Sequence, residues 1–475
     1  MSFLHKIPQQ EKKMYLLASL LIIALALLEL IMPSGLVLAA VIVLFLALLI
    51  FRNPFLGFLA IVFFLPFERL GAYEASLGTI RLSQVFLGIT LLAWLFKMMA
   101  RRRLTFRSFP ITLPLVLFLV VNLVGLIYAD NLDRSIFVLL ITAFTMLIAV
   151  LVANLIDDKE KLKKVMVVLL VSATLVSIFG LYQFMGDMVG LAPEVTGLRP
   201  HYTKDVLGFT RIQSTALEPL YFANYLLIPL SIIYALFLSR FYQSKKWFLV
   251  ILIFILGINL FLTISRGGYL GLIASILLIT FLYFRSFFTW KKIVILIITI
   301  TLLYVVGVQF LQIGGGALNW ETFISHVRGV FAGPSYLERI DTFEKAFLAF
   351  NDHPLFGIGP GGFGPQVATY THIIPGGGWK IVNNEFIELL TETGILGFIF
   401  MMAAFIILFI RSIKAIKITD NNYLKAMMIG LLGAFLGVMV QYQTFSILYI
   451  MHIWFLFGLM IACQNLILGT HEKTN

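Results

Sequence analysis

The sequence predicts an all-α polytopic membrane protein, and three observations lead there. Of 475 residues, 60 % are apolar and only 12 % charged, and the mean hydropathy is +1.00. A soluble domain is nearer half apolar and a quarter charged. The apolar excess falls in separate runs of about 20 residues, the length that crosses a bilayer as a helix. The basic residues gather in every second connection between runs. Soluble enzymes, disulfide scaffolds and disordered chains are excluded. Cys463 is the single cysteine, so neither an internal disulfide nor a thiolate metal cluster stabilises the fold.

About 14 spans (12–14) are expected, at 14–33, 35–51, 54–67, 83–100, 110–129, 135–156, 165–185, 217–239, 247–265, 267–284, 293–312, 386–410, 424–442 and 446–467. The third is short and ends in Pro66, Glu68 and Arg69, which makes it the weakest span. The first is too long for a signal-peptide core and has no small-residue cleavage site after it, so a signal anchor is expected. The organisation divides into N-terminal helices (1–185), an outer loop (186–216), further helices (217–312), a large loop (313–385) and C-terminal helices (386–475).

Orientation follows from Lys and Arg in the short loops. With the N-terminus inside, 24 of the 35 basic residues lie in inner segments and 11 in outer ones. The reverse would put Arg101, Arg102, Arg103 and the run from Lys159 to Lys164 outside. The net charge of +12 is thus a topology signal, and no nucleic acid is needed to explain it. Both termini are then cytoplasmic. The inner loops are all short, leaving nowhere for a cytosolic nucleotide site. The loop 313–385 is outside and too long for a mere connection. No internal repeat is visible, which weakens a transporter reading.

Within that loop, Ser335-Tyr-Leu-Glu338 has the capping-box form and predicts a helix to about Phe350. Leu337, Ile340, Phe343, Phe347 and Phe350 would share one apolar stripe, with Arg339 at its border. Asn351-Asp-His353-Pro354 stops it. The stretch Pro354 to Gly364 contains a formal G-x-G-x-x-G, but no strand precedes it, so a dinucleotide is rejected. A loop so rich in glycine either presents backbone N–H groups to an anion or is simply flexible.

The twelfth span opens with Asn384, a plausible N-cap. Glu385, Glu388 and Glu392 follow at i, i+3 and i+7, on one narrow face. Glu392 would lie about 10 Å deeper than Glu385, and a carboxylate at that depth needs a partner or a polar cavity. Three outer arginines beside helix starts could answer these carboxylates or bind an anion: Arg211, Arg266 and Arg339. An arginine fork suits phosphate or carboxylate oxygens, although interfacial snorkelling alone explains any one of them. Lone histidines are weaker evidence. His452 reads as a packing residue, His353 as part of the helix stop, and His326 and His372 as free loop candidates for a base. No metal-ligand spacing and no Ser-His-Asp order stands out.

Several segments together resemble the O-antigen ligase/polymerase membrane family. They are Arg211-Ile-Gln-Ser-Thr with Pro219 and Ala223-Asn-Tyr-Leu226, then Ser265-Arg266-Gly-Gly-Tyr-Leu270, then Arg339 with His353-Pro-Leu-Phe-Gly-Ile-Gly359, and last Asn384-Glu-Phe-Ile-Glu-Leu-Leu with Glu392-Thr-Gly394-Ile-Leu-Gly397. The match covers roughly 205–400, and the first 180 residues resemble the family only in being hydrophobic spans. The resemblance implies a GT-C-like glycosyltransferase at the outer face of the cytoplasmic (inner) membrane. Its donor would be an oligosaccharide on undecaprenyl diphosphate and its acceptor a hydroxyl on a glycan or lipid-linked glycan. It would need no metal or cofactor, and arginines would hold the diphosphate. Ligases of this family carry a histidine before the asparagine of the last motif, and here that position is Asn383. An amide cannot take a proton from a hydroxyl. Either Glu385 or His372 supplies the base, or the chain stands on the polymerase side, which is preferred. A lipid-linked glycan flippase or exporter and a non-catalytic envelope scaffold are the competing readings.

Overall fold

The computed structural model describes residues 46–70, 72–75, 78–102, 106–199, 210–239, 241, 246–287, 334–371, 380–446 and 448–471. The runs expected at 14–33 and 293–312, most of the run expected at 35–51, and His326 and His372, lie outside the described residues.

By contacts the chain forms two compact units, 1–57 with 88–104, and 58–87 with 105–475. In the first, Phe51 tilts against Phe96 with ring centroids 5.9 Å apart, and Lys97 Nζ donates to the Arg52 carbonyl at 3.3 Å. The second holds most of the protein.

The described elements follow the predicted spans closely. α1 (Pro54–Phe64) is only 11 residues long. A two-stranded antiparallel hairpin follows, β1 (Tyr73–Ala75) with β2 (Gly78–Ile80), Tyr73 opposite Ile80. Then come α2 (Leu82–Ala100), α3 (Thr112–Gly125), α4 (Leu132–Leu155), α5 (Lys159–Met188), the single turn α6 (Pro193–Thr196), α7 (Pro219–Leu238), α8 (Lys246–Leu262) and α9 (Arg266–Phe287). After the undescribed stretch come α10 (Pro334–Asp352), α11 (Phe363–Thr371), α12 (Glu385–Ile418), α13 (Asn422–Gln441) and α14 (Met451–His471). Eight of the described helices are long and apolar enough to cross a membrane. Three expected spans (α1, the stretch Thr112–Tyr128 and α8) are apolar but shorter.

α7, α13 and α14 form the centre, with 83 %, 78 % and 83 % of their apolar windows buried. α13 packs on α7 and α9, α14 on α4, and α12 on α3. Without a hydrophobic force between helices in lipid, close packing needs small residues. α9 and α13 cross at Gly271 and Gly437, where a Cβ on Gly271 would lie 2.5 Å from the Gly437 carbonyl oxygen. A buried polar chain also ties the centre together. Asn224 Nδ2 donates to Gln441 Oε1 at 2.9 Å, and His452 Nε2 meets Asn224 Oδ1 at 2.7 Å. His452 is therefore a packing residue, as its position suggested. Large apolar side chains on the outward faces, among them Leu113, Leu140, Leu277 and Phe281, stand exposed, as a lipid-facing belt would.

The helix predicted from Ser335 forms, but its stripe is not the predicted one. The face turned to the protein carries Thr342, Ala346 and Ala349, which join Ile358, Phe363, Val367 and Val382 in one cluster, with Phe343 at its edge. Ile340, Phe347 and Leu348 are exposed. Two faces of this helix are apolar, and the small one fits against α12 because it allows closer approach than phenylalanines would.

Candidate active site

α12 is not one helix. Gly394 sits at φ +63° and ψ −175° and breaks it into a short half, 385–393, and a long one, 395–418. Only glycine tolerates that region readily. The break frees backbone groups, and the glycine-rich loop takes them up. Ile358 and Gly359 N–H donate to the Thr391 and Glu392 carbonyls at 3.1 and 3.0 Å, and Ile395 N–H donates to the Pro354 carbonyl at 2.9 Å. Gly357 lies at φ +72°, where a Cβ would come within 2.5 Å of Thr393 N. The loop thus replaces the missing turn of helix.

The same loop does present its amides, and the group that takes them is the carboxyl of Glu392. Its Oε2 accepts from Gly361 N–H at 2.8 Å and its Oε1 from Phe363 N–H at 3.2 Å. Arg134, from the first turn of α4, donates through Nε to the Gly361 carbonyl at 2.8 Å and is attracted by Glu392 and Glu388. Glu388 Oε2 accepts from Val382 N–H at 2.8 Å. Asn384 caps the short half-helix, accepting from Phe386 and Ile387 N–H at 3.0 and 3.2 Å. Glu385 N–H donates to the Tyr442 carbonyl at 2.9 Å, and the Glu385 side chain is 2 % exposed.

These residues surround a cavity of about 290 Å³. The three glutamates line it together, as their spacing predicted. Its cations are Arg81, Arg134 and Lys380, and Tyr221, Tyr449 and Asn122 add polar groups. Among the described residues, no three His, Cys, Asp or Glu side chains group to hold a metal ion.

Arg211, Arg266 and Arg339 do not line this cavity. Arg211 and Arg266 instead feel each other's charge. Arg211 Nε donates to the Thr263 carbonyl at 2.9 Å, which anchors it on the turn that starts α9 at Arg266. Burial lowers the Arg211 pKa below its ordinary value, opposed by Tyr269 and Glu218 and assisted by the like charge of Arg266. Burial raises that of Glu218, against the pull of Arg211 and Arg199. Two neighbouring guanidiniums, one of them largely buried, make a strong anion-seeking pair. Arg339 instead rides on α10, where its carbonyl accepts from Thr342 Oγ1 at 2.8 Å.

The sequence reading missed Arg81 and Arg134. Both met the criterion that singled out the other three, an outer arginine beside a helix start. They lie in the N-terminal spans, away from the family-like motifs. Asn383, at the expected histidine position, is not a lining residue. It takes a left-handed backbone, φ +60°, and its N–H donates to Ser446 Oγ at 3.0 Å.

A predominantly helical membrane protein with a buried carboxylate and cation site is the class that fold and site define. Residues 251–402 match the family described as O-antigen ligase, which supports the O-antigen ligase/polymerase family suggested by the motifs. Among curated proteins, none matches the chain. The family match covers Arg266, Arg339, the glycine loop and the broken half-helix with Asn384, Glu385, Glu388 and Glu392, and leaves out Arg81, Arg134 and Arg211.

Proposed function

We propose that the protein transfers a glycan from an isoprenyl diphosphate carrier, undecaprenyl diphosphate by the family resemblance, to an acceptor hydroxyl at the outer face of the cytoplasmic membrane, as a polysaccharide polymerase or O-antigen ligase. One observation carries this reading: the three glutamates of the broken half-helix open on one cavity, while Arg211 is held on the turn that starts α9 at Arg266. Arg211 and Arg266 hold the departing diphosphate and stabilise its charge as the glycosidic C–O bond breaks. The acceptor oxygen attacks the sugar carbon from the cavity side, and Glu385 receives its proton. His372 remains the alternative base. Glu388, Glu392, Asn384 and Arg339 shape the substrate-binding surroundings. With Asn383 in place of the histidine, the polymerase side is favoured.

The test is glycan chain length on the lipid carriers in a deletion strain. Loss of long chains, with single repeat units accumulating at the outer face, is the polymerase result. Repeat units trapped on the inner face would support the flippase reading instead. Chains of normal length that fail to reach the acceptor would indicate a ligase.

Two further outcomes are expected. Arg211→Lys and Arg266→Lys each keep a charge but lose the fork. Each should cut transfer about 10- to 100-fold with normal membrane insertion, the worth of a charge-assisted hydrogen bond. Parental rates in both would leave these arginines as anchors of the α8–α9 turn only.

The second concerns orientation. Every lining segment of the cavity falls on the side that the alternation of basic residues makes outer, which supports that alternation. The native Cys463 is buried, so added cysteines can be read cleanly. A membrane-impermeant thiol reagent should label Glu344→Cys on α10 and spare Glu160→Cys on α5. Labelling of Glu160→Cys alone would invert the topology and remove the outer-face reading.

A further inference from the structure

Arg81 is the least explained charge in the protein. Its side chain is 9 % exposed, it lines the cavity, and its buried Nε has no hydrogen-bond partner. Its backbone is fixed instead. Arg81 N–H donates to Gln84 Oε1 at 2.8 Å, and its carbonyl accepts from Gln84 and Val85 N–H at 3.0 and 3.2 Å. Gln84, on the same turn, carries a second buried donor without an acceptor, Nε2.

Glu68, outside the cavity lining, is a carboxylate that acts on Arg81. Glu68 is already engaged, since its Oε2 accepts from Leu217 N–H at 3.1 Å. Among the described residues, no ion pair joins Glu68 to Arg81 within 4.0 Å. Arg134, in contrast, has the Gly361 carbonyl and the attraction of Glu392 and Glu388. A buried guanidinium left in this state calls for an oxyanion from outside the chain.

The rest of the cavity describes what carries that oxyanion. About 290 Å³ is at the lower end of ligand pockets, which run from about 300 to 1,000 Å³, and suits one sugar unit rather than an oligosaccharide. Glu385, Glu388 and Glu392 are acceptors for sugar hydroxyls, each with lone pairs beyond those given to loop amides. Tyr221, Tyr449, Phe118 and Phe137 supply aromatic walls. The cavity is separate from the Arg211 and Arg266 pair, neither of which lines it.

We infer that the cavity is a subsite for one acidic sugar of the acceptor glycan, with Arg81 reading its carboxylate or phosphate while the glutamates hold its hydroxyls. The assignment to the acceptor rests on the transferase reading above; recognition of an acidic sugar does not.

Binding to the purified full chain in lipid nanodiscs tests it, with no turnover required. The probes are methyl glucuronide, glucose 1-phosphate, neutral methyl glucoside and farnesyl diphosphate. One of the two acidic sugars should bind about 10- to 100-fold tighter than methyl glucoside, and the tighter of them names the acid as carboxylate or phosphate. Arg81→Gln should abolish that preference and leave the neutral sugar unchanged. Arg81→Lys, which restores the charge, should recover much of it and guards against a folding artefact. Farnesyl diphosphate should bind Arg81→Gln as it binds the parent. No preference for acid over neutral sugar in the parent would overturn the inference, as would a preference that survives Arg81→Gln. Loss of farnesyl diphosphate binding in Arg81→Gln, equal to the loss of acidic sugar, would overturn it too, by placing Arg81 in the donor site. A chain that binds the acidic sugar through Arg81 yet transfers no glycan would count against the transferase reading alone.

Discussion

Replacing Glu385 by Gln should reduce glycan transfer by about 100- to 10,000-fold, the usual contribution of a positioned general base, with membrane insertion and diphosphate binding retained. The change is nearly isosteric and removes only the ability to accept a proton. Glu385 is the informative choice because Glu388 and Glu392 also hold loop amides. A substitution at either would mix lost chemistry with a displaced loop. Glu385 lines the cavity from the first turn of α12, beside the residues that would orient an acceptor hydroxyl. A weak base is adequate where the leaving group is a stabilised diphosphate, since little proton transfer is then needed early in the reaction. Transfer and farnesyl diphosphate binding should be measured side by side in proteoliposomes. If Glu385→Gln transfers glycan at the parental rate, the proton goes elsewhere, and His372→Ala becomes the deciding variant.

Most of the helices were legible because a 20-residue apolar run has few alternatives in a chain this hydrophobic. The acidic face was legible for a similar reason: Glu385, Glu388 and Glu392 are costly on an apolar helix, and their spacing leaves one geometry. What the sequence could not show is how backbone groups are satisfied across distance. Gly394 reads as one more small residue in an apolar span, yet it ends a half-helix. The loop that repairs the break lies more than 30 residues earlier in the chain. The stripe on α10 was misassigned because size outweighed fit: Phe347 and Ile340 suggested the core side, while Ala346 and Ala349 allow the close approach. Arg81 and Arg134 were not legible as site residues because they lie far in sequence from the motifs after residue 205. Their side chains reach the cavity only once the N-terminal helices have packed.

Substituting Gly394 by Ala should be the most destabilising single change at the site. Two costs add. The residue would be held at φ +63° and ψ −175°, which costs about 1–3 kcal/mol for anything but glycine. Its Cβ would also fall inside van der Waals contact of the Leu355 carbonyl group and 2.6 Å from Phe356 N. That neighbour is backbone, so no side-chain rotation relieves the clash. The loop must move, and with it the hydrogen bonds of Ile358, Gly359 and Ile395 and the amides that hold Glu392. A loss of about 3 kcal/mol or more is expected once overpacking is included, read as a lower midpoint of thermal unfolding in detergent. Activity should fall further than stability, because the same loop sets the position of the carboxylate face. Gly257→Ala in α8 is the control, since a Cβ there meets nothing within 4 Å, and it should be neutral or raise stability by about 0.5–1 kcal/mol. Equal midpoints for Gly394→Ala and Gly257→Ala would mean that α12 runs unbroken in the membrane. The glycine loop would then have no gap to fill, and the carboxylate cavity would lose its floor.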